Sequence, residues 1–185
     1  MTPITLDQIT LKSGAHTSFA QGACLLEAAS YVAGEAWTDH PQCVSPVLGA
    51  YGRSLNDVLP DDRRQELKPY IPRLIGTADD GKDEARSYIA LDWLIRTYTP
   101  AFLDLAGLTE EAEELRNLRR IVDLVAAQQA GPVVRAARDK AAAAGDAARD
   151  AARDAAGDAL KPTVDSLQSS AIALLGTMID GQVSA

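Results

Sequence analysis

Apolar residues recur along this chain at the spacing of three or four positions that is typical of amphipathic α-helices. The first such segment, Ala23–Gly34, ends in a glycine that suits a helix C-terminus. The second, Pro46–Val58, follows Ser45, which suits an N-cap. The predicted apolar stripes are Leu25, Ala28, Ala29 and Val32 in the first helix and Val47, Leu48, Tyr51, Leu55 and Val58 in the second.

The middle of the chain predicts shorter helices separated by prolines. A charged helix is expected to begin at Asp61 and to end at Pro69. The segment Pro69–Gly76 is expected to be extended, because prolines and the residues before them disfavour helical backbone. Asp83–Tyr98 is apolar over more than half of its circumference, which is the pattern of a central, mostly buried helix.

Two short helices are predicted next, followed by an alanine-rich tract. Pro100 starts a helix that ends at Ala106, and Thr109 is expected to cap another whose first turn carries glutamates near the positive dipole end. Gly131–Leu160 repeats alanine pairs and predicts one long helix, since alanine is the best helix former. A last helix starts at Pro162, and its Leu and Ile stripe predicts that it folds back on the alanine tract as a hairpin.

These patterns predict a mainly α fold, a multi-helix bundle with a long Ala-rich C-terminal helical hairpin. Apolar residues stand at positions 4, 6, 9 and 11 of Ile4–Leu11, interrupted by Asp7 and Gln8, which predicts a short N-terminal extended segment or hairpin. We expect a helical core domain over residues 1–125 and the hairpin over 126–185, packed together as one structural unit. The aromatic share of only 5% also favours helix-on-helix packing.

The charge of the chain disfavours one class of function. Its net charge of −8 and pI of about 4.7 come without a basic patch, so nucleic-acid binding is disfavoured. The apolar stretches are shorter than the roughly 20 residues that a membrane span needs, and no signal sequence opens the chain. We therefore expect a cytoplasmic protein that does not bind membranes and whose two cysteines are free thiols or ligands.

Most residues that could carry chemistry lie in the first quarter of the chain. His16, Cys24, His40 and Cys43 make up the ligand inventory of a tetrahedral zinc site, although only His40 and Cys43 have knuckle-like spacing. No cofactor is predicted, and zinc is the alternative. The competing interpretation is that these are buried thiols and hydrogen-bonded histidines.

A cysteine nucleophile is the other chemical possibility. Cys24 is expected in the first turn of its helix, where the dipole would stabilise a thiolate. His40 or His16 could act as the base, oriented by Asp39 or Glu27.

Buried carboxylates are expected to have partners. The favoured interpretation of Glu27 is an ion pair with Arg53 or His40, and Asp92 is expected to pair with Arg96, four residues on. The two tryptophans are expected in the core.

Several sequence motifs within residues 1 to 125 resemble those of a group of known proteins. They are SGAH at 13–16, GACLLEA at 22–28, DHPQC at 39–43 and ALDWL at 90–94. With them the chain resembles a group of actinobacterial and actinobacteriophage proteins to which no activity is assigned. The resemblance implies a phage or mobile-element origin and a small accessory protein acting on a partner.

Together these observations predict a non-enzymatic interaction protein that binds a protein partner or forms a homodimer. The alternative is a zinc protein or a cysteine-dependent hydrolase centred on Cys24, His40 and Cys43.

Overall fold

The computed structural model describes residues 6–145 and 160–182. Over these residues the protein is mainly helical, and its only pairing of extended backbone is one parallel bridge between Leu11 and Ala23. The predicted mainly α fold is confirmed. The prediction of an extended segment over Ile4–Leu11 is wrong at Leu6–Gln8, which forms a 3₁₀ turn.

The chain divides into two compact units, which we describe separately. Unit 1 comprises Met1–Arg86 with Ala171–Ala185, and unit 2 comprises Ser87–Ser170. This division differs from the expected boundary between residues 125 and 126. The end of the last helix belongs to unit 1, where the carbonyl of Ala171 accepts a hydrogen bond from Tyr51 Oη at 2.9 Å.

Unit 1 begins with the two helices that the sequence predicts, α1 (Leu25–Ala33) and α2 (Pro46–Val58). Gly34 ends α1 in the left-handed conformation at φ 74°, and the Ser45 side chain caps α2 by accepting the N–H of Leu48. The predicted stripes are wrong at their outer ends, because Val32 is 40% and Val58 72% exposed.

The next segment is more helical than its prolines suggest. It consists of α3 (Asp61–Arg64), a 3₁₀ helix (Gln65–Tyr70) and α4 (Ile71–Leu74). The expectation of an extended Pro69–Gly76 is therefore wrong. Pro72 lies in the first turn of α4, where a proline leaves no helical hydrogen bond unmade, and Ile71 and Leu74 are buried.

A single helical run replaces the two helices predicted around Pro100. It comprises α5 (Asp83–Trp93), a π turn (Leu94–Tyr98) and α6 (Thr99–Leu105). Pro100 cannot donate to the carbonyl four residues back, and the wider π turn accommodates that missing bond. The run is also less buried than predicted, since Leu94 and Tyr98 are exposed.

Three further helices complete the described chain: α7 (Thr109–Arg116), α8 (Leu124–Ala143) and α9 (Lys161–Asp180). Thr109 is the first residue of α7 rather than its cap. The alanine tract is helical as far as α8 extends, and the rest of the predicted Gly131–Leu160 helix lies outside the described residues from 146 to 159.

The core of unit 2 shows how the alanine tract packs. Ala137 of α8 is buried with Leu103 of α6 and with Ala112 and Leu115 of α7. The buried alanines of α8 are Ala126, Ala130 and Ala137, which recur along one helix face. Their small side chains allow neighbouring helices to approach α8 closely. The partners of Ala137 are α6 and α7, whereas the sequence predicted the last helix as the partner of this tract.

None of the helices within residues 6–145 and 160–182 combines the length and the apolar character that crossing a bilayer requires.

Candidate functional site

The predicted site residues lie in unit 1 and fall into two groups, with Cys43 apart from both. His16 and Cys24 converge on the carboxylate of Glu27, whereas His40 lies beside Asp39. Among the described residues no hydrogen bond joins a cysteine to a histidine.

Glu27 is the centre of the first group. Its side chain is almost completely buried and accepts three hydrogen bonds: from His16 N at 2.5 Å, from His16 Nδ1 at 2.9 Å and from Cys24 N at 2.8 Å. The expected ion pair of Glu27 with Arg53 or His40 is therefore wrong. The carboxylate instead ties the loop around His16 to the start of α1, and Trp37 Nε1 donates to the His16 carbonyl at 2.7 Å.

Gly22 lets this loop fold over the helix start. Its φ of +131° disfavours any residue with a side chain. A Cβ there would lie 2.5 Å from Lys12 Cδ and 3.1 Å from two ring atoms of His16.

Cys24 is the N-cap of α1 rather than a residue of its first turn. Its sulfur accepts the N–H of Glu27 at 3.4 Å, and Glu27 accepts the N–H of Cys24, which together form a capping box. Burial and, to a smaller extent, the negative charge of Glu27 raise the pKa of the thiol to about 12. The expectation of a dipole-activated thiolate is thus wrong, because burial outweighs the helix terminus.

We expect Cys24 to be unreactive at neutral pH in the folded protein. In a Cys43→Ser variant, in which Cys24 is the single thiol, labelling by a disulfide reagent should be at least about 100-fold slower than in denaturant. The rate of absorbance change measures it directly. Labelling within a few-fold of the denatured rate would show that the thiol is accessible and activated after all.

His40 of the second group lines a pocket of about 410 Å³ next to the start of α2, whose ionisable lining residues are His40, Arg53 and Asp79. His40 Nδ1 lies 2.7 Å from Asp39 Oδ1, and Arg53 Nη1 donates to the Asp39 carbonyl at 2.9 Å. The imidazole is 67% exposed, so solvent screens its pairing with Asp39.

Cys43 organises the loop between α1 and α2. Its N–H donates to Glu35 Oε1 at 2.8 Å, and its carbonyl accepts the N–H groups of Gly76 and Thr77. Burial and the hydrogen bond to Glu35 raise the pKa of its thiol.

The four predicted zinc ligands are not assembled. Within the part of the chain that the structure describes, no group of three or more His, Cys, Asp and Glu side chains is placed to hold a metal ion. His16 and Cys24 bind the buried carboxylate, while His40 and Cys43 have the separate partners Asp39 and Glu35.

Unit 2 carries a set of exposed apolar side chains that the sequence did not predict. Four large apolar side chains on the run from the π turn to the end of α6 are exposed: Leu94 by 45%, Tyr98 by 38%, Phe102 by 41% and Leu105 by 39%. We call these four residues the exposed row. Their spacing of four, four and three residues places them on one side of the helix.

The π turn aligns an aromatic series along this row. The Trp93 and Tyr98 ring centroids are 5.4 Å apart, and those of Tyr98 and Phe102 are 4.9 Å apart. In a regular α-helix, residues 93 and 98 would point about 140° apart. The π turn, in which the Thr99 N–H bonds to the Leu94 carbonyl, brings them together instead. Pro100 was the one sequence signal for this distortion.

Charged residues near the row are paired within unit 2. Arg96 Nη1 lies 3.4 Å from both carboxylate oxygens of Asp92, as the sequence predicts, and Arg116 forms an ion pair with Asp104. Asp92 Oδ1 also accepts the Ile121 N–H at 2.8 Å. The charged side chains of these residues beside the row are therefore neutralised by their ion-pair partners.

Comparison of the chain with protein-family models, with curated proteins and with solved structures gives no match.

Proposed function

We propose that this protein is a non-enzymatic interaction protein that pairs with a second copy of itself through the exposed row. The observation that carries the proposal is the line of apolar and aromatic side chains at 94, 98, 102 and 105. Aromatic residues are enriched at protein interfaces and supply most of the binding energy in many of them.

The distribution of exposed apolar side chains supports this location. Among the described residues, all exposed large apolar side chains except Val32 and Val58 lie in unit 2. Single exposed apolar residues are ordinary, whereas an aligned set indicates an interaction surface.

Local charge supports a second copy as the occupant. Two chains of net charge −8 repel each other at long range. Near the row, however, Asp92 is paired with Arg96 and Asp104 with Arg116, so no unpaired carboxylate of these residues would face its equivalent. A row of apolar side chains along one helical run can also pack against its own copy across a two-fold axis.

Phe102→Glu is expected to abolish self-association. Placing a charge at the centre of the row removes an aromatic anchor, and loss of about 2 kcal/mol or more weakens the dimer at least about 30-fold. Sedimentation velocity over a wide concentration range measures the effect. Val58→Glu is the matched control, because Val58 is 72% exposed on a helix of unit 1 and should leave the association unchanged.

Two results would contradict the self-pairing. One is a wild-type protein that stays monomeric at the highest concentration tested. The other is equal weakening by both variants, which would mean that added negative charge alone prevents association. A different protein bound by the monomeric wild type and lost in Phe102→Glu would assign the row to that partner.

A cytoplasmic location and an accessory role in a phage or mobile element accompany this proposal as expectations from the sequence. The zinc and hydrolase alternatives have no supporting geometry in the described residues, since Cys24 is a buried cap and the four candidate ligands are not assembled.

A further inference from the structure

A pocket of about 560 Å³ in unit 2 has the lining of an anion site. Alkyl groups form part of its wall. Its polar side chains come from the π turn, α6, the end of α7 and the start of α9: Arg96, Thr97, Asp104, Arg116, Thr163 and Ser166.

The charge of this lining is opposite to that of the whole chain. Two arginines face one carboxylate in the pocket, in a protein whose net charge is −8. Asp104 is already paired with Arg116, and that pairing holds the guanidinium in place at the pocket wall. Arg96 shares its charge with Asp92, which is not part of the lining and lies at the long distance of 3.4 Å from Arg96 Nη1.

Arg96 has unused hydrogen-bonding capacity. Its Nε is buried and has no hydrogen-bond partner among the described residues. Its Nη1 reaches Asp92 only at 3.4 Å, and its Nη2 donates to the Arg116 carbonyl at 3.2 Å. Buried donors are rarely left unpaired in folded proteins, so the Arg96 guanidinium gains hydrogen bonds if it turns toward an acceptor in the pocket.

Two backbone features add to the case. Arg96 and Thr97 lie in the π turn, an element that often marks functional sites. Thr163 and Ser166 lie near the N-terminus of the 20-residue helix α9, the end that carries the positive part of the helix dipole.

We propose that this pocket binds a small compound that carries a phosphate group on an apolar body. Arginine donors, hydroxyl donors and a helix N-terminus are together the groups that coordinate phosphate oxygens. A phosphate group presents three acceptor oxygens to such donors, whereas a carboxylate presents two. The alkyl part of the wall suits the apolar body of the ligand.

Phenyl phosphate is the probe for the test, with inorganic phosphate and benzoate as comparison arms. Calorimetric titration of the full chain at low ionic strength should give a Kd for phenyl phosphate of roughly 10 μM to 1 mM. Inorganic phosphate and benzoate should each bind at least about tenfold more weakly, because each lacks one half of the recognised chemistry.

Variants locate the site. Arg96→Gln should weaken phenyl phosphate binding at least about tenfold. Arg135→Gln is the matched control, because Arg135 is an exposed arginine of α8 that does not line the pocket, and it should change the Kd less than about twofold. Ser166→Ala removes one hydroxyl without changing charge and should weaken binding about two- to fivefold, which keeps the test valid if Arg96→Gln fails to fold.

The proposal is overturned if phenyl phosphate does not bind at millimolar concentration, or if Arg96→Gln and Arg135→Gln weaken it equally. If inorganic phosphate bound as tightly as phenyl phosphate, the pocket would not recognise an apolar body. If benzoate bound as tightly, the pocket would not select a phosphate group. Either result would overturn the proposal. Leu105 belongs both to the exposed row and to the pocket wall, so the two proposals are separated by their measurements: phenyl phosphate binding tests this pocket, and sedimentation velocity tests self-association.

Discussion

Replacing Arg86 by methionine is expected to lower the free energy of unfolding of unit 1 by about 3 to 5 kcal/mol, because it removes several hydrogen bonds of a buried charged group, each worth roughly 1.5 to 3 kcal/mol. Arg86 is completely buried. Methionine is similar in length and apolar, so the loss would come from the polar partners and hardly from the volume.

Those partners lie on both chain segments of unit 1. Arg86 bonds the carboxylates of Asp80 and Asp83, and its Nη1 also donates to the Thr77 carbonyl at 3.3 Å. Its Nε donates to the Met178 carbonyl at 3.0 Å, near the end of α9 where helical carbonyls lack intrahelical partners. The guanidinium thus joins the C-terminal segment to the N-terminal one.

Denaturant unfolding in a Trp93→Phe background measures this prediction, because Trp37 then reports on unit 1 alone. Arg73→Met is the control. Arg73 also pairs with the end of α9, at 2.8 Å from Asp180 Oδ1, but both side chains are largely exposed, so we expect a loss below about 1 kcal/mol. Equal losses in the two variants would contradict a special role for burial.

The same ion pair should make stability depend on pH. The hydrogen bond from Arg86 lowers the pKa of Asp80 below its ordinary value. A lowered folded-state pKa contributes stability that is fully present above the ordinary carboxyl pKa of about 4 and is lost as pH falls through the lowered value. Arg86→Met should remove this part of the acid dependence, which unfolding curves across the acidic range would show.

Replacing Glu27 by glutamine is expected to cost about 2 to 4 kcal/mol, although the two side chains have nearly the same shape. Three donors, two from His16 and one from Cys24, converge on the carboxylate. A glutamine amide has a single oxygen and turns its own N–H₂ group toward at least one of these donors, which leaves buried N–H groups unpaired.

Unfolding followed by Trp37 also measures the Glu27 variant, since the Trp37 indole donates to the His16 carbonyl. Glu66→Gln is the matched control: Glu66 pairs with Arg63, and its side chain is 49% exposed, so its loss should be below about 1 kcal/mol. A Glu27→Gln variant as stable as this control would show that the buried carboxylate is dispensable.

The sequence predicted the helices wherever a periodic stripe coincided with capping residues. Pro46–Val58 has the predicted bounds because Ser45 and Pro46 define its start locally. The approximate limits of α1 were predicted for the same reason, with Gly34 as its left-handed end. The predictions at Pro69–Gly76 and at Pro100 were wrong because of their prolines. A proline cannot donate a backbone hydrogen bond, but the chain can still form 3₁₀ and π turns around it.

The candidate site was predicted only in part. That Cys24 stands at a helix start follows from the sequence, but the sign of its pKa shift depends on burial, which neighbouring segments decide. The partner of Glu27 was missed because His16 reaches it through a loop that Gly22 allows, 11 residues away along the chain.

The sequence by itself determined the helical class, most helix limits and the acidic character of this protein, because periodicity, caps and charge act within a few residues of one another. Only the tertiary structure decided which carboxylate meets which partner, that Arg86 is buried between two distant segments, and that the aromatic side chains after Trp93 line up in the open. The ion pairs and the burial of Arg86 depend on contacts between residues far apart in the chain. The alignment of the aromatic side chains depends on how one π turn rotates the helix that follows it. Neither can be predicted from the pattern of neighbouring residues.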